Sequence, residues 1–311
     1  MPDTLTYILK KMLPVLIINT PALVVVIFIL VLGLVYSFKN RNRKNPLTQK
    51  LLRSPGQALF DRITELQFKV LEVIVFWCIF PLVFYIALLN AITAQKSAAL
   101  LYAAISIAVL ASLYGTVRAY FVLKSLADLR LAYDGELSVG QELNELMLDG
   151  FRVYHDIQAE NFNIDHAVVG PAGVFVIETK TRSKNPRAKG AAAVEVTYDG
   201  DSINFPKWRD TETLEQARRN AKWLEQRLTK AVGDPVAVFP AVAIPGWYTK
   251  KITNKPGPIV YNGGNPRAIF PKCGQDVLLT EEQIKRIAYQ NEQLCRNVEP
   301  ITFNSKKKLG T

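Results

Sequence analysis

The chain has 311 residues, of which 49% are hydrophobic, and its formal net charge is +11. The length allows one folded domain beside a sizeable apolar region. The excess positive charge is unevenly distributed, because residues 1–130 hold 14 Lys or Arg against 5 Asp or Glu, whereas residues 131–311 hold 24 against 22. This distribution excludes a chain that is basic throughout.

Three stretches without any charged residue lie in the first 130 residues, at about 13–37, 73–95 and 98–117. As a helix, the first would be about 37 Å long, which exceeds the roughly 30 Å of a bilayer core. It is too long, and too basic just afterwards, for a cleaved signal peptide. Each stretch alone is also compatible with a buried helix of a soluble protein. Together they predict three transmembrane helices in a membrane region of residues 1–130, the last two forming a hairpin around Lys96.

The first apolar stretch is followed by a basic cluster: Lys39, Arg41, Arg43, Lys44, Lys50 and Arg53. Such clusters stay on the cytoplasmic side of a membrane. We therefore expect a cytoplasmic loop at 38–70, which contains a short amphipathic helix. The chain is predicted to be a multi-pass protein of the inner (cytoplasmic) membrane, with the lipid bilayer as a partner and its soluble domain in the cytoplasm.

Helical and strand patterns alternate after residue 130, as in an α/β domain. The predicted helices are 134–149, 211–231 and 280–296, the last opened by the capping box Thr280-x-x-Gln283. The predicted strands are 151–156, 164–169, 174–180, a hairpin at 194–205, an apolar strand at 236–244 and a strand near 258–261. Residues 131–300 thus form a mixed sheet flanked by helices, and residues 301–311 form a basic tail.

The strands 164–169 and 174–180 are joined by Gly170-Pro171-Ala172-Gly173, a turn sequence. If Gly170 faces Gly173, the numbers of opposed residues sum to 343, so that Asp165 lies opposite Glu178. Opposed Cβ atoms are about 4.5–5.5 Å apart, and two carboxylates that close repel each other unless a cation lies between them. Lys180 points to the same side as Glu178, because successive residues alternate faces.

Two carboxylates and an ammonium group around one point suit a hard divalent cation such as Mg²⁺ or Mn²⁺. A metal there polarises a phosphate and activates water, while a lysine stabilises developing charge, which is the chemistry of phosphodiester hydrolysis. The alternative is a solvated salt-bridge cluster at the end of a sheet.

The wider pattern resembles the nuclease-related domain family, NERD, a branch of the PD-(D/E)xK nuclease superfamily, over about residues 134–250. The residues that carry the resemblance are Gly135-Glu136, Asn163-Ile164-Asp165-His166 and Gly173-Val174-Phe175-Val176-Ile177-Glu178-Thr179-Lys180. The resemblance implies a restriction-endonuclease-like mixed sheet. It also implies that Asp165 and Glu178 are metal ligands and that Lys180 is catalytic.

Three further residues have competing interpretations. By the resemblance, Glu136 helps to bind metal or orient water, but an acid is also favoured in the first turn of a helix. Gln216 contacts substrate or the site, or else completes a capping box Thr213-x-x-Gln216. His166 points away from Asp165 and is interpreted as a supporting residue.

Basic residues follow the proposed site at Arg182, Lys184, Arg187 and Lys189, and others line the next helix near Trp208 and Trp223: Arg218, Arg219, Lys222 and Arg227. They are suited to binding the phosphates of a nucleic acid. The alternatives are a solvated helix face and contact with anionic lipid.

Three functions fit these observations. The first is a membrane-anchored, divalent-metal-dependent nuclease that hydrolyses DNA at the cytoplasmic face. The second is a catalytically inactive nucleic-acid-binding or scaffold membrane protein with a nuclease-like fold. The third is a structural membrane protein whose spans form a homo-oligomer and whose domain binds a protein partner. The sequence leaves open whether the chain is an enzyme.

Overall fold

The computed structural model describes residues 27–28, 30–36, 38–39, 43–93, 98–273 and 278–300. These residues form two compact units. The first contains the described residues before Lys50 together with Ile74–Gly115, and the second contains Lys50–Val73 and Thr116–Val298. Residues 50–70, which the sequence assigned to a cytoplasmic loop, are therefore part of the unit that contains the nuclease-like sequence.

Two long helices extend through the apolar stretches. Helix α1, Gln57–Thr93, begins within the predicted loop, so the expected short amphipathic helix is the first part of a continuous helix of 37 residues. Helix α2, Ala98–Asn144, has 47 residues and continues as a 3-10 helix, Glu145–Asp149. It ends at Gly150, whose φ of 81° allows its N–H to bond back to the last turn. The predicted helix 134–149 is the end of this longer element.

The membrane prediction is only partly tested. Within the described ranges, one helical segment, Ile105–Asp149, is long and apolar enough to cross a membrane. It overlaps the predicted span 98–117, and its charged residues begin at Arg118. Most of the predicted span 13–37, the Lys96 loop and the basic tail at 301–311 lie outside the described residues. Three transmembrane helices therefore remain a prediction.

The second unit is built on a mixed five-stranded sheet. The strands are β1 Leu51–Leu52, β2 Arg152–Gln158, β3 Asn163–Gly170, β4 Gly173–Thr179, β5 Glu195–Tyr198, β6 Ile203–Asn204, β7 Arg209–Asp210, β8 Val238–Ala243, β9 Tyr248–Lys251, β10 Ile259–Tyr261 and β11 Arg296–Val298. The five-stranded sheet has the strand order β10-β8-β4-β3-β2, with antiparallel pairing from β2 to β4 and parallel pairing from β4 to β10. Strands β7-β6-β5-β9 form a second sheet, and β1-β11 form a third.

Helices pack on both faces of the five-stranded sheet. Helix α3, Glu212–Val232, and helix α4, Glu281–Cys295, place Leu224, Leu228 and Ile287 in one buried apolar cluster. The end of α2 places Val139 and Leu143 in the cluster on the other face. The capping box of Thr280 and Gln283 is present at the start of α4. The domain thus has the predicted mixed α/β fold, with sheets flanked by helices.

The predicted register of β3 and β4 is confirmed. The paired residues sum to 343 from Gly170↔Gly173 to His166↔Ile177. Gly173 has a φ of +115°, a conformation that side chains with a Cβ rarely adopt, which explains the glycine at this turn. The next opposed residues beyond the bonded ladder are Asp165 and Glu178.

The segment before α1 is fastened to this unit by a buried ion pair. Arg53 Nε donates to Asp156 Oδ2 at 2.7 Å, and the N–H of Ala58, in the first turn of α1, donates to the same oxygen at 2.7 Å. Gln158 and Asn163 donate to Asp156 Oδ1. Asp156 is fully buried and has a φ of +50°. Arg53 therefore neutralises a carboxylate inside the domain and is not only a topology signal.

Candidate active site at the end of strands β3 and β4

Two buried carboxylates lie at the ends of neighbouring strands. Asp165 and Glu178 are only 6% and 3% exposed. The backbone N–H of Thr179 donates to Asp165 Oδ2 at 2.7 Å. Side chains alternate between the two faces of a sheet, and opposed residues of paired strands point to the same face. The register of β3 and β4 therefore brings the two carboxyl groups together.

A third carboxylate comes from helix α2. Glu136 is 7% exposed, and its Oε2 atom is buried without a hydrogen-bond partner among the described residues. The preceding residue, Gly135, allows α2 to approach the end of the sheet, because a Cβ there would collide with the hydroxyl of Thr181. The Gly-Glu sequence thus brings an acidic side chain next to the strand that carries Glu178.

Lys180 supplies the positive charge that was expected. Its Nζ lies 3.9 Å from Glu178 Oε1, and its side chain is 32% exposed, so it reaches the surface while the carboxylates do not. The N–H of Lys180 donates to the carbonyl of Ala243 at 2.9 Å. This bond extends the ladder between β4 and β8 and fixes the start of the lysine side chain.

The carboxyl groups of the site resist ionisation. Burial, followed by the charge of Asp165, raises the pKa of Glu136 to about 10. Burial raises the pKa of Asp165 to about 7, while the Thr179 hydrogen bond and Lys180 act in the opposite direction. Burial and the neighbouring Asp165 also raise the pKa of Glu178 well above its usual value. The site therefore holds more acid groups than its single lysine neutralises.

Gln216 lies on α3 and is half-buried, and its side chain makes no hydrogen bond with any residue that the structure describes. The competing capping box is not formed, because the N–H and hydroxyl of Thr213 both donate to Asp210, at 3.0 and 2.8 Å. The catalytic role of Gln216 remains a prediction.

Asn220, one helical turn after Gln216, was not predicted from the sequence. It is buried, and its Nδ2 donates to Glu178 Oε2 at 3.2 Å. The signal for it was the i, i+4 spacing from Gln216, which places both side chains on one face of the helix. Asn220 orients a proposed metal ligand.

His166 contacts another histidine and none of the acidic groups. Its Nδ1 lies 2.9 Å from Nδ1 of His155, and Nε2 of His155 lies 3.1 Å from Asn144 Oδ1. Burial lowers the pKa of His155 to about 4, and burial together with His155 lowers that of His166. Both rings are therefore neutral and support the packing between β2, β3 and α2.

The donor set suits a hard divalent cation. Eight buried side-chain atoms lack a partner in the described part of the chain, and four belong to residues of this region: Glu136, Thr179, Thr181 and Arg182. In that same part, no three His, Cys, Asp or Glu side chains are already arranged as a metal-binding cluster. Oxygens of Asp165 and Glu178 instead accept protein N–H groups. Carboxylates with raised pKa values and an unpartnered Glu136 oxygen are the chemistry that a divalent ion satisfies.

Comparison with known protein families finds a match within the mixed α/β unit. Residues 131–245 match the family described as nuclease-related domain, NERD. No curated protein and no solved structure matched the chain. The match covers little more than a third of the chain and contains Glu136, Asp165, Glu178, Lys180 and Gln216. Residues 131–245 of the mixed α/β unit are therefore similar to a nuclease-related domain, which indicates a nuclease-related function.

Proposed function

We propose that this chain is a membrane-anchored, divalent-metal-dependent nuclease that hydrolyses phosphodiester bonds of DNA at the cytoplasmic face. The observation that carries the proposal is the convergence of the buried carboxyl groups of Glu136, Asp165 and Glu178 beside Lys180. Such a cluster is unfavourable without a cation, and it lies within the part of the chain that matches a nuclease family.

Asp165, Glu178 and Glu136 are the residues that would hold Mg²⁺ or Mn²⁺. When bound, such an ion polarises a phosphate and lowers the pKa of a coordinated water. Asn220 keeps the Glu178 carboxylate oriented through its 3.2 Å hydrogen bond. Lys180, which is partly exposed, is able to donate to the attacking water or to the negative charge that develops on the phosphate.

The direct test is to incubate the full chain, purified in detergent, with labelled DNA and labelled RNA. We expect cleavage of DNA with Mg²⁺ or Mn²⁺ and none with EDTA. The matched control is the Lys180→Ala chain, prepared identically, which distinguishes this activity from a contaminating nuclease. A chain that binds nucleic acid but never cleaves it would favour the inactive scaffold function.

Membrane anchoring rests on the apolar stretches. In the helix segment that begins at Ile105, the side chains of Ile107, Leu110 and Leu113 are each more than 60% exposed. Contiguous apolar surface of this kind is covered by lipid or by another protein.

A topology experiment tests the orientation that follows from the basic cluster. A reporter fused after residue 45 or at the carboxyl terminus is expected to score cytoplasmic, because Lys and Arg clusters remain on that side. A reporter inserted beside Lys96 is expected to score external. An external carboxyl terminus would contradict both the predicted localisation and access of the site to cytoplasmic DNA.

A further inference from the structure

The basic segment that follows the site contains Arg182, Lys184, Arg187 and Lys189. Arg182 is held more firmly in this segment than the other arginine, Arg187. The guanidinium carbon of Arg182 lies 4.9 Å from the ring centroid of Trp208, and its Nη2 lies 3.2 Å from Asp210 Oδ2. The backbone carbonyl of Arg182 accepts a hydrogen bond from Trp247 Nε1 at 3.0 Å. Both the main chain and the side chain of this residue are thus fixed.

The ring beneath the guanidinium is itself immobilised. Trp208 stacks on Phe205 with a centroid distance of 4.1 Å and an interplanar angle of 8°. Phe205 packs edge-to-face against Trp247, at 5.2 Å and 90°. Because Phe205 covers one face of the Trp208 ring, Arg182 lies over the other face. A cation stacked on an aromatic ring keeps the plane of its guanidinium fixed.

Arg182 still has free capacity as a donor. Its Nε is buried and has no hydrogen-bond partner within the described residues, while Asp210 accepts from Nη2. The side chain is 38% exposed, and the Asp210 side chain is 5% exposed. The buried Nε is not accessible to a ligand, but the side chain is partly exposed and no hydrogen bond or ion pair is described for its Nη1. An arginine held this way is suited to a ligand with several oxygen acceptors.

A ligand bound by Arg182 would lie close to the candidate site. It follows Lys180 by two residues, a span of at most about 7 Å along an extended chain. By contrast, Arg187 is exposed in the same loop, and no ion pair or aromatic contact is described for its side chain. This segment thus contains one arginine that is held close to the site and another, Arg187, whose exposed side chain has no described ion pair or aromatic contact.

We infer that Arg182 binds a backbone phosphate of the nucleic acid, next to the phosphate at the acidic site, and that the stack of Phe205 and Trp208 holds its guanidinium for this purpose. This inference rests on the proposed function. Arginine binds phosphate through two parallel N–H groups, which a lysine cannot reproduce. The contribution of Arg182 therefore depends on shape as well as on charge.

The test compares two substitutions that keep the charge. Binding of a fluorescein-labelled oligonucleotide to the full chain in detergent is measured by anisotropy in EDTA, where no cleavage is expected. Arg182→Lys should raise Kd about five- to tenfold through loss of the bidentate geometry, and Arg187→Lys should change it less than about twofold. The dependence of Kd on salt should be the same for both, because the number of neutralised phosphates is unchanged. Equal effects of the two substitutions would overturn the inference.

Substitutions of Trp208 in the aromatic stack provide a second test, because they do not alter any charge. Trp208→Ala should weaken binding as much as Arg182→Lys, whereas Trp208→Phe, which keeps a ring under the guanidinium, should not. The double variant Arg182→Lys/Trp208→Ala should bind no more weakly than either single variant, since residues in contact are not additive. Tyr289→Ala, which removes another exposed aromatic ring, is the control and should have no effect. Additive losses from Arg182→Lys and Trp208→Ala would contradict a shared role.

Failure of the inference and failure of the proposed function give different results. If the chain never cleaves DNA but binds it in an Arg182-dependent way, the proposed nuclease function is refuted and the phosphate contact of Arg182 is supported. If the chain cleaves DNA but the Arg182→Lys and Arg187→Lys variants bind it equally well, the nuclease function is supported and the phosphate contact of Arg182 is refuted. Melting temperatures of all variants separate a loss of contact from a loss of fold.

Discussion

Asp165→Asn is expected to abolish DNA cleavage and, without divalent metal, to make the domain more stable. The asparagine keeps an oxygen that accepts the Thr179 N–H, so the strand end is preserved. It removes a buried charge that faces Glu178 and Glu136. Since one pKa unit corresponds to about 1.4 kcal/mol, the gain at pH 8 is on the order of 1 to 4 kcal/mol.

The gain in stability should depend on pH in a defined direction. Burial raises the pKa of Asp165 to about 7 in the folded chain, above its ordinary value of 3.8. The folded state therefore binds more protons than the unfolded state between these values, and stability falls as pH rises through them. Wild type and Asp165→Asn should melt alike near pH 4, and the variant should melt higher above pH 7. A salt-bridge cluster predicts the opposite order at neutral pH.

Added Mg²⁺ should reverse the ranking of the two proteins. Metal binding to wild type stabilises the folded state by mass action, whereas Asp165→Asn has lost a ligand and should not respond. Lys180→Ala is the informative companion, because it should retain the Mg²⁺-dependent rise in melting temperature while its cleavage rate falls by about 10² to 10⁴. A wild-type melt that is indifferent to Mg²⁺ would argue against the metal site.

The geometry of this site was largely predictable because it depends on local rules. The turn at Gly170 and Gly173 fixed the register, and strand alternation then placed Asp165 opposite Glu178 with Lys180 nearby. The same patterns located helices α3 and α4 and strands β2 to β6, β8 and β10 to within a few residues, whereas the short strands β7, β9 and β11 were not predicted. Periodicity and turn chemistry act over short distances along the chain, so one sequence is sufficient to recognise them.

Contacts between distant segments were not predictable in this way. Asn220 bonds to Glu178 across 42 residues, and Arg53 pairs with Asp156 across 103 residues. The spacing from Gln216 indicates the face of α3 on which Asn220 lies, but no fixed spacing connects Asn220 with Glu178 or Arg53 with Asp156. The basic cluster after the first apolar stretch was interpreted as a topology signal, and nothing local distinguished Arg53 from its neighbours. Only the folded arrangement separates a charge that interacts with solvent from one that neutralises a buried carboxylate.

Arg53→Ala is expected to be among the most destabilising substitutions in the chain. Asp156 is fully buried, and the Arg53 side chain is 11% exposed, so removing the arginine leaves a buried carboxylate without its counter-charge. Removing one partner of a buried pair costs about 3 kcal/mol or more. The variant should therefore lower the free energy of unfolding by about that amount, measured by urea denaturation of the full chain in detergent. Arg286→Ala, which breaks the exposed pairs with Glu282 and Asp234, is the control and should cost less than about 1 kcal/mol.

A double substitution tests whether the loss comes from the uncompensated charge. Asp156→Asn keeps an oxygen for the Ala58 N–H, and asparagine tolerates the φ of +50° at this position. Its NH₂ group replaces the oxygen that accepts from Gln158 and Asn163, whose side-chain amides can turn to present their own oxygens. Arg53→Ala/Asp156→Asn should therefore recover at least about 1 kcal/mol relative to Arg53→Ala alone. If Arg53→Ala is instead as harmless as Arg286→Ala, the segment before α1 contributes nothing to the domain. A sizeable loss that the second substitution relieves makes residues 50–58 a structural part of the second unit, outside residues 131–245, which match the nuclease-related domain.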